Sequence, residues 1–164
     1  MSTEIPVEKK FRVLCEINRA AHFQWLRTVV GMFPEVDKLE LVKRYWREVG
    51  VETGKAYLKH IDPNRPLPAQ FARSFAFSSR CMGEDCVVVP GESEKECYAR
   101  HDACPWFEWH RREGVEELDL PGCEEWLAAA VEEVNDALGT RLRVETLKSI
   151  PAGDGVCLRR FRVD

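Results

Sequence analysis

Two long apolar stripes at helical spacing, each closed by proline, limit what this chain can fold into. Between Val7 and Met32 the residues Phe11, Leu14, Ala21, Trp25, Val29 and Met32 describe one face of a helix that stops before Pro34. A second stripe carries Leu39, Val42, Trp46, Val49 and Ala56. It is preceded by Asp37 as a plausible N-cap, runs to about His60, and is broken by Asp62-Pro-Asn-Arg-Pro-Leu-Pro68. The intervening Phe33-Pro-Glu-Val36 is too short for a wide excursion and predicts an antiparallel helix pair.

Periodicity changes after the prolines. Leu67 to Ser79 reads as a third helix, although Phe71, Phe75 and Phe77 fit a strand as well. Cys86 to Pro90 and Glu96 to Ala103 read as a hairpin around the polar turn Gly91 to Lys95. Pro105 to Arg112 is expected to form a short helix. Pro121 to Leu138 reads as a longer one, with Cys123, Leu127, Ala130, Val134 and Leu138 on one face and Gly139 at its end. Leu142 to Ile150 and Val156 to Val163 then flank a turn that contains Asp154-Gly155. The fold class implied is α+β: an N-terminal antiparallel helix pair packed on an antiparallel sheet with inserted helices. With 164 residues, no internal repeat and no shift in composition, a single domain over residues 1–164 is expected.

Charge and composition exclude several classes of function. The net charge of −4 gives no global attraction for phosphate backbones or anionic lipid, so no nucleic-acid partner is expected. Arg111-Arg112, Arg141 to Arg143 and Arg159 to Arg162 read as solvated faces, the first two among acidic residues and the third alternating along a strand. No stretch approaches the roughly 20 apolar residues that span a bilayer, and no membrane partner is expected. The start Met1-Ser-Thr-Glu-Ile-Pro6 lacks the features of a secretion signal, and the odd count of 7 cysteines argues against a disulfide framework. Reduced thiols in a cytoplasmic protein are the expectation.

Chemistry concentrates in Cys97-Tyr-Ala-Arg-His101-Asp-Ala-Cys104-Pro-Trp106, with Cys123 and Cys157 beyond it. Cys104 precedes a helix-starting proline, Cys123 falls in the first turn of the next predicted helix, and Cys157 opens the last strand. A helix N-terminus offers unpaired N–H groups and a positive dipole end, which favour thiolate over thiol. Cys104 is therefore the first candidate nucleophile, with His101 as its base and Cys123 and Cys157 as partner thiols. Glu124 and Glu125 oppose the dipole at Cys123. A packing role competes for each thiol taken alone, because free cysteine is commonly buried as a small hydrophobe. His60 and His110 read as structural or solvated, and Trp106 and Trp109 as possible walls of a small-molecule pocket. No cofactor is required by these residues. Zinc is the alternative, with Cys81, Cys86, Cys97, His101, Cys104, Cys123 and Cys157 as soft donors, although the spacings lack the short paired knuckles of well-marked zinc modules.

The arrangement Cys104-Pro105, then Cys123 near a helix start, then Gly155-Val-Cys157 before a short strand resembles the L-2-amino-thiazoline-4-carboxylic acid hydrolase family over roughly Glu96 to Asp164. That resemblance implies a small-molecule ligand and hydrolytic opening of a thiazoline ring, a thiol-dependent attack on a C–N or C–S bond of a small heterocycle. A fainter similarity is to vinyl-reductase-type domains, α+β sensor modules with cysteines near the C-terminus, and implies a non-catalytic domain that binds a small molecule or zinc. Fold similarity alone transfers no reaction, so both expectations stand at this point.

Overall fold

In the computed structural model, which describes residues 4–164, the chain forms five α-helices and one sheet. The helices are α1 (Val7–Met32), α2 (Lys38–Leu58), α3 (Leu67–Cys81), α4 (Pro105–Glu113) and α5 (Asp119–Leu138). The strands are β1 (Val87–Pro90), β2 (Glu96–His101), β3 (Leu142–Lys148) and β4 (Cys157–Val163). Met1–Thr3, where the reading of the secretion signal begins, lie outside the described residues. Helices and an antiparallel sheet of order β1-β2-β4-β3 make this an α+β fold. Among the described residues, no helix is long and apolar enough to cross a membrane.

Two compact units divide the chain at Asp37/Lys38. In the first, α1 buries Cys15, Arg19, His22, Phe23 and Leu26. The stripe expected to be buried is instead largely open, with Leu14 63% and Met32 68% exposed. The helix carries apolar residues on two sides, and spacing alone does not rank them. The buried side also holds a cation, since Arg19 Nη2 donates to Glu16 Oε1 at 2.7 Å.

In the second unit, α2 packs along α5. Close approach is possible because small residues face the opposite backbone: a Cβ on Gly50 would stand 2.4 Å from the Trp126 carbonyl oxygen, and one on Gly54 would stand 2.8 Å from that of Ala130. Arg47 laces the surface of the pair by donating to Glu125 and Glu132.

The ambiguous segment 67–79 is helical. Phe71 and Phe75, one helical turn apart, are buried, and Phe77 is 66% exposed. The residues between the phenylalanines decide the matter: Ala72 and Ala76 are buried too, which gives a face of period 3.6. Phe71, Phe75, Leu127, Val134, Leu142 and Phe161 form the centre of the core under the sheet. The hairpin pairs Val87 with Arg100 and Pro90 with Cys97. β4 inserts between β2 and β3, pairing His101 with Cys157 and Leu142 with Val163.

One boundary differs where the site is built. A 3-10 turn at Glu116–Leu118 feeds α5, which begins at Asp119. Pro121 is thus the third helical residue, where its missing N–H costs no intrahelical bond, and Cys123 falls in the second turn rather than the first.

Candidate functional site

A cleft of about 690 Å3, counting its mouth, opens within the second unit between the sheet and the helices around it. It brings together all four residues singled out for chemistry: His101, Cys104, Cys123 and Cys157 line it. Local structure explains each placement. His101 ends β2 on the same face as the buried Cys97 and Ala99. Cys104 is the N-cap of α4, its Sγ accepting the Phe107 N–H at 3.3 Å. Cys157 opens β4 opposite His101 in the register, with its Sγ accepting the Ile150 N–H at 3.3 Å. Cys123 projects from α5, and its Sγ accepts a hydrogen bond from Arg159 Nη2 at 3.4 Å.

The wall is aromatic. Trp46 of α2 meets Trp106 of α4 edge to face with ring centroids 5.5 Å apart, and Phe75 lies 5.6 Å from Trp126. Trp126 is oriented by its Nε1, which donates to Thr53 Oγ1 at 3.0 Å. Trp106 is therefore a wall residue, whereas Trp109 stacks under Arg112, 4.7 Å from its ring centroid, and is not part of the lining.

Two histidine–carboxylate pairs add polar character. His101 Nε2 stands 2.9 Å from Glu84 Oε2, and His110 Nδ1 stands 2.8 Å from Asp119 Oδ1. Glu84 is delivered by the turn that ends α3, where Gly83 takes the left-handed φ of 82° that favours glycine. The neighbouring Asp85 accepts the Ala103 N–H at 3.3 Å and ties that turn to the end of β2. Of the two expectations for His110, structural or solvated, the solvated one fails: it is 3% exposed, lies against the Trp106 carbonyl and lines the cleft.

The electrostatics reverse the expectation of an acidified thiol at the start of α4. Burial pushes Cys104 up, the Asp119 carboxylate pushes it further, and the Phe107 N–H only partly offsets them. Burial likewise raises Cys123 to about 11, against the opposing influence of Arg159, and raises Cys157. A helix N-terminus acidifies a thiol that keeps access to water; here desolvation wins. All seven cysteines are free thiols. Among the described residues, no group of three or more His, Cys, Asp or Glu side chains is arranged to hold a metal ion.

Arg159 is the second residue that the sequence reading misplaced. The basic run predicts a solvated alternating face, yet Arg159 is 3% exposed and lines the cleft. The signal was present: Cys157, Arg159 and Phe161 alternate with Leu158 and Arg160, so a buried Cys157 and Phe161 place Arg159 inward. Glu84 and Asp119 had no comparable signature, because each is an acidic residue beside a turn.

Several solved structures share this fold. A trafficking protein particle complex subunit 3 from Naegleria fowleri, solved covalently bound to palmitic acid, is 12% identical with a TM-score of 0.55 over 93% of this chain and 96% of that one. The phenol-responsive sensory domain of the transcription activator PoxR, solved with phenol, is 12% identical with a TM-score of 0.51 over 88% of this chain and 74% of that one. No curated protein matches the sequence. The profile of the L-2-amino-thiazoline-4-carboxylic acid hydrolase family matches residues 15–161, well beyond the segment from Glu96 that carries the cysteine pattern. With the match extending from α1 to β4, the chain belongs to the L-2-amino-thiazoline-4-carboxylic acid hydrolase family.

Proposed function

We propose that this protein hydrolyses a small nitrogen- and sulfur-containing ring held in the cleft, using one of the cleft thiols. The observation that carries this reading is the meeting of Cys104, Cys123 and Cys157 with the His101–Glu84 and His110–Asp119 pairs in one aromatic-walled cleft. Ring opening by water needs a nucleophile, a group to move the proton and donors for the charge that develops. Cys123 is the best nucleophile of the three, because the Arg159 guanidinium against its sulfur favours the thiolate and outweighs the Asp119 carboxylate, which disfavours the thiolates of both Cys123 and Cys104. A histidine takes the thiol proton, the sulfur adds to the C=N carbon, and the proton returns to the leaving atom as the ring bond breaks. Water then releases the product from sulfur. His101, with Cys157 as its cross-strand neighbour and the Glu84 carboxylate 2.9 Å from its Nε2, and His110, whose Nδ1 lies against Asp119 and the Trp106 carbonyl, are the proton carriers.

Incubation with L-2-amino-thiazoline-4-carboxylic acid, followed by NMR, tests the reading. Ring opening by the wild type is expected to fall at least a hundredfold in Cys123→Ser with little change in melting temperature. A second reading, a ligand sensor, is supported by the fold shared with a phenol-responsive domain and by the aromatic wall. It expects ring compounds to raise the melting temperature of the wild type with no turnover.

A further inference from the structure

Among the cleft residues, Arg159 stands out because its charge is not balanced where it sits. The side chain rises from the middle of β4, between the inward-facing Cys157 and Phe161, and is 3% exposed. Nη2 donates to Cys123 Sγ at 3.4 Å, and Nη1 is buried with no hydrogen-bond partner among the described residues. Cys123 supplies no counter-charge near neutral pH, since burial holds its thiol up to about 11. The two carboxylates of the cleft, Glu84 and Asp119, lie against His101 and His110. Glu124, which also acts on Arg159, is exposed and its field is weakened by water.

A buried guanidinium with one weak sulfur acceptor and an idle donor is unfavourable for folding, because the water it gives up is not replaced by a partner. A binding site retains such a group when a ligand completes it. Arginine presents planar, forked donors that match a carboxylate, and the strands on either side of β4 fix the backbone that carries them.

The geometry points to Arg159 as the residue that selects the ligand: its Nη1 side receives the carboxylate of a small ring acid and its Nη2 side holds Cys123, so one guanidinium sets the ring beside the sulfur. This rests on the proposed hydrolytic reading for the role of Cys123, but the selection of anions over neutral ligands stands independently of turnover. The same guanidinium then serves two steps. It anchors the substrate through an interaction present throughout the reaction, and it favours the thiolate that attacks.

The test compares thiazole-4-carboxylate with thiazole-4-carboxamide, ring probes of nearly equal shape that differ in charge. Binding is followed by quenching of the tryptophans that line the cleft, and apo melting temperatures are measured for wild type, Arg159→Met and Arg159→Lys. The wild type is expected to bind the carboxylate at least tenfold more tightly than the carboxamide. Arg159→Met loses that preference while binding the carboxamide as before, and Arg159→Lys keeps part of it. Without ligand, Arg159→Met melts at or above the wild type, because an unbalanced buried charge has been replaced by an apolar chain of similar length. A structural arginine would give the opposite, a lower melting temperature with ligand preference intact, and that result overturns the proposal. Equal binding of the two probes by the wild type, or no binding of the carboxylate, overturns it as well. Anion preference without hydrolysis of the thiazoline upholds the role of Arg159 and rejects the hydrolytic reading; hydrolysis without anion preference does the reverse.

Discussion

Arg159 donates a hydrogen bond to the sulfur of Cys123 across 3.4 Å, joining the middle of β4 to the second turn of α5. Through this contact a buried cation acts directly on Cys123, and its charge also favours the thiolate of Cys157, while Cys104 lacks it. Cys104 is pushed upward by burial and then by the Asp119 carboxylate, and no arginine is among the principal influences on it. The two sulfurs share a cleft but not an electrostatic setting.

Thiol reactivity is expected to follow that difference. The alkylation rate tracks the thiolate fraction and access, so the cleft thiols should react slowly with iodoacetamide at pH 7 and faster as pH rises toward the value of about 11 for Cys123. Exposed Cys81 is expected to be modified before any of them. Mass mapping at pH 7, 8.5 and 10 checks the order. Modification of Cys104 ahead of Cys81 at pH 7 would contradict it.

Substituting Cys104 separates capping from chemistry. Its sulfur caps α4 by accepting the Phe107 N–H, and serine is a better N-cap than cysteine because its oxygen is a stronger acceptor. Cys104→Ser is therefore expected to melt at the wild-type temperature or slightly higher, within about 1 kcal/mol, and to keep thiazoline turnover within tenfold. A hundredfold loss of turnover in a stably folded Cys104→Ser would move the nucleophile to Cys104.

Much of this architecture is written in local periodicity, and the parts that are not share a cause. The hairpins, the N-cap at Cys104 and the inward side of β2 follow from alternation and turn chemistry within a few residues. The buried side of α1 does not, because the helix carries apolar residues on two sides and spacing alone does not rank them. The site divides in the same way. Three cysteines and His101 were legible as reactive residue types placed at element boundaries. Glu84 and Asp119 reach the cleft histidines only through the fold, as 17 residues separate Glu84 from His101 and nine separate His110 from Asp119.

Alkaline pH is expected to destabilise the fold through its buried thiols. Burial raises Cys86 from 9.0 to about 12 and Cys123 from 9.0 to about 11. Unfolded thiols ionise first, near pH 9, while the folded ones stay protonated, so above pH 9 the unfolded state binds fewer protons and stability falls as pH rises. The contribution is complete below pH 9 and is lost progressively up to about 11 for Cys123 and 12 for Cys86. Burial also raises Tyr57, which extends the effect above pH 10. Thermal melts between pH 7 and 10.5 should show a plateau followed by a decline, and Cys86→Ala should decline less steeply than the wild type. Equal slopes would show that Cys86 does not contribute.

The cleft depends on how closely α2 approaches α5, and Gly50 sets that distance. A methyl group there would stand 2.4 Å from the Trp126 carbonyl oxygen and 2.7 Å from the Ala129 Cβ, so neither backbone nor a short side chain can yield without moving a helix. Alanine is the better helix former by about 1 kcal/mol, and at an open position the substitution is favourable. At Gly50 overpacking opposes that gain, with a typical cost of about 1–3 kcal/mol. Gly50→Ala is therefore expected to lower the melting temperature by several degrees. Gly31→Ala, where a methyl group meets nothing within 4 Å, should leave it unchanged or raise it. Separation of the helices also displaces Trp46 on α2 from Trp126 on α5, whose rings lie 6.3 Å apart in the cleft wall. Binding of thiazole-4-carboxylate by Gly50→Ala should consequently weaken at temperatures well below its melting transition. Full affinity in a destabilised Gly50→Ala protein would show that the α2–α5 spacing supports the fold and not the cleft.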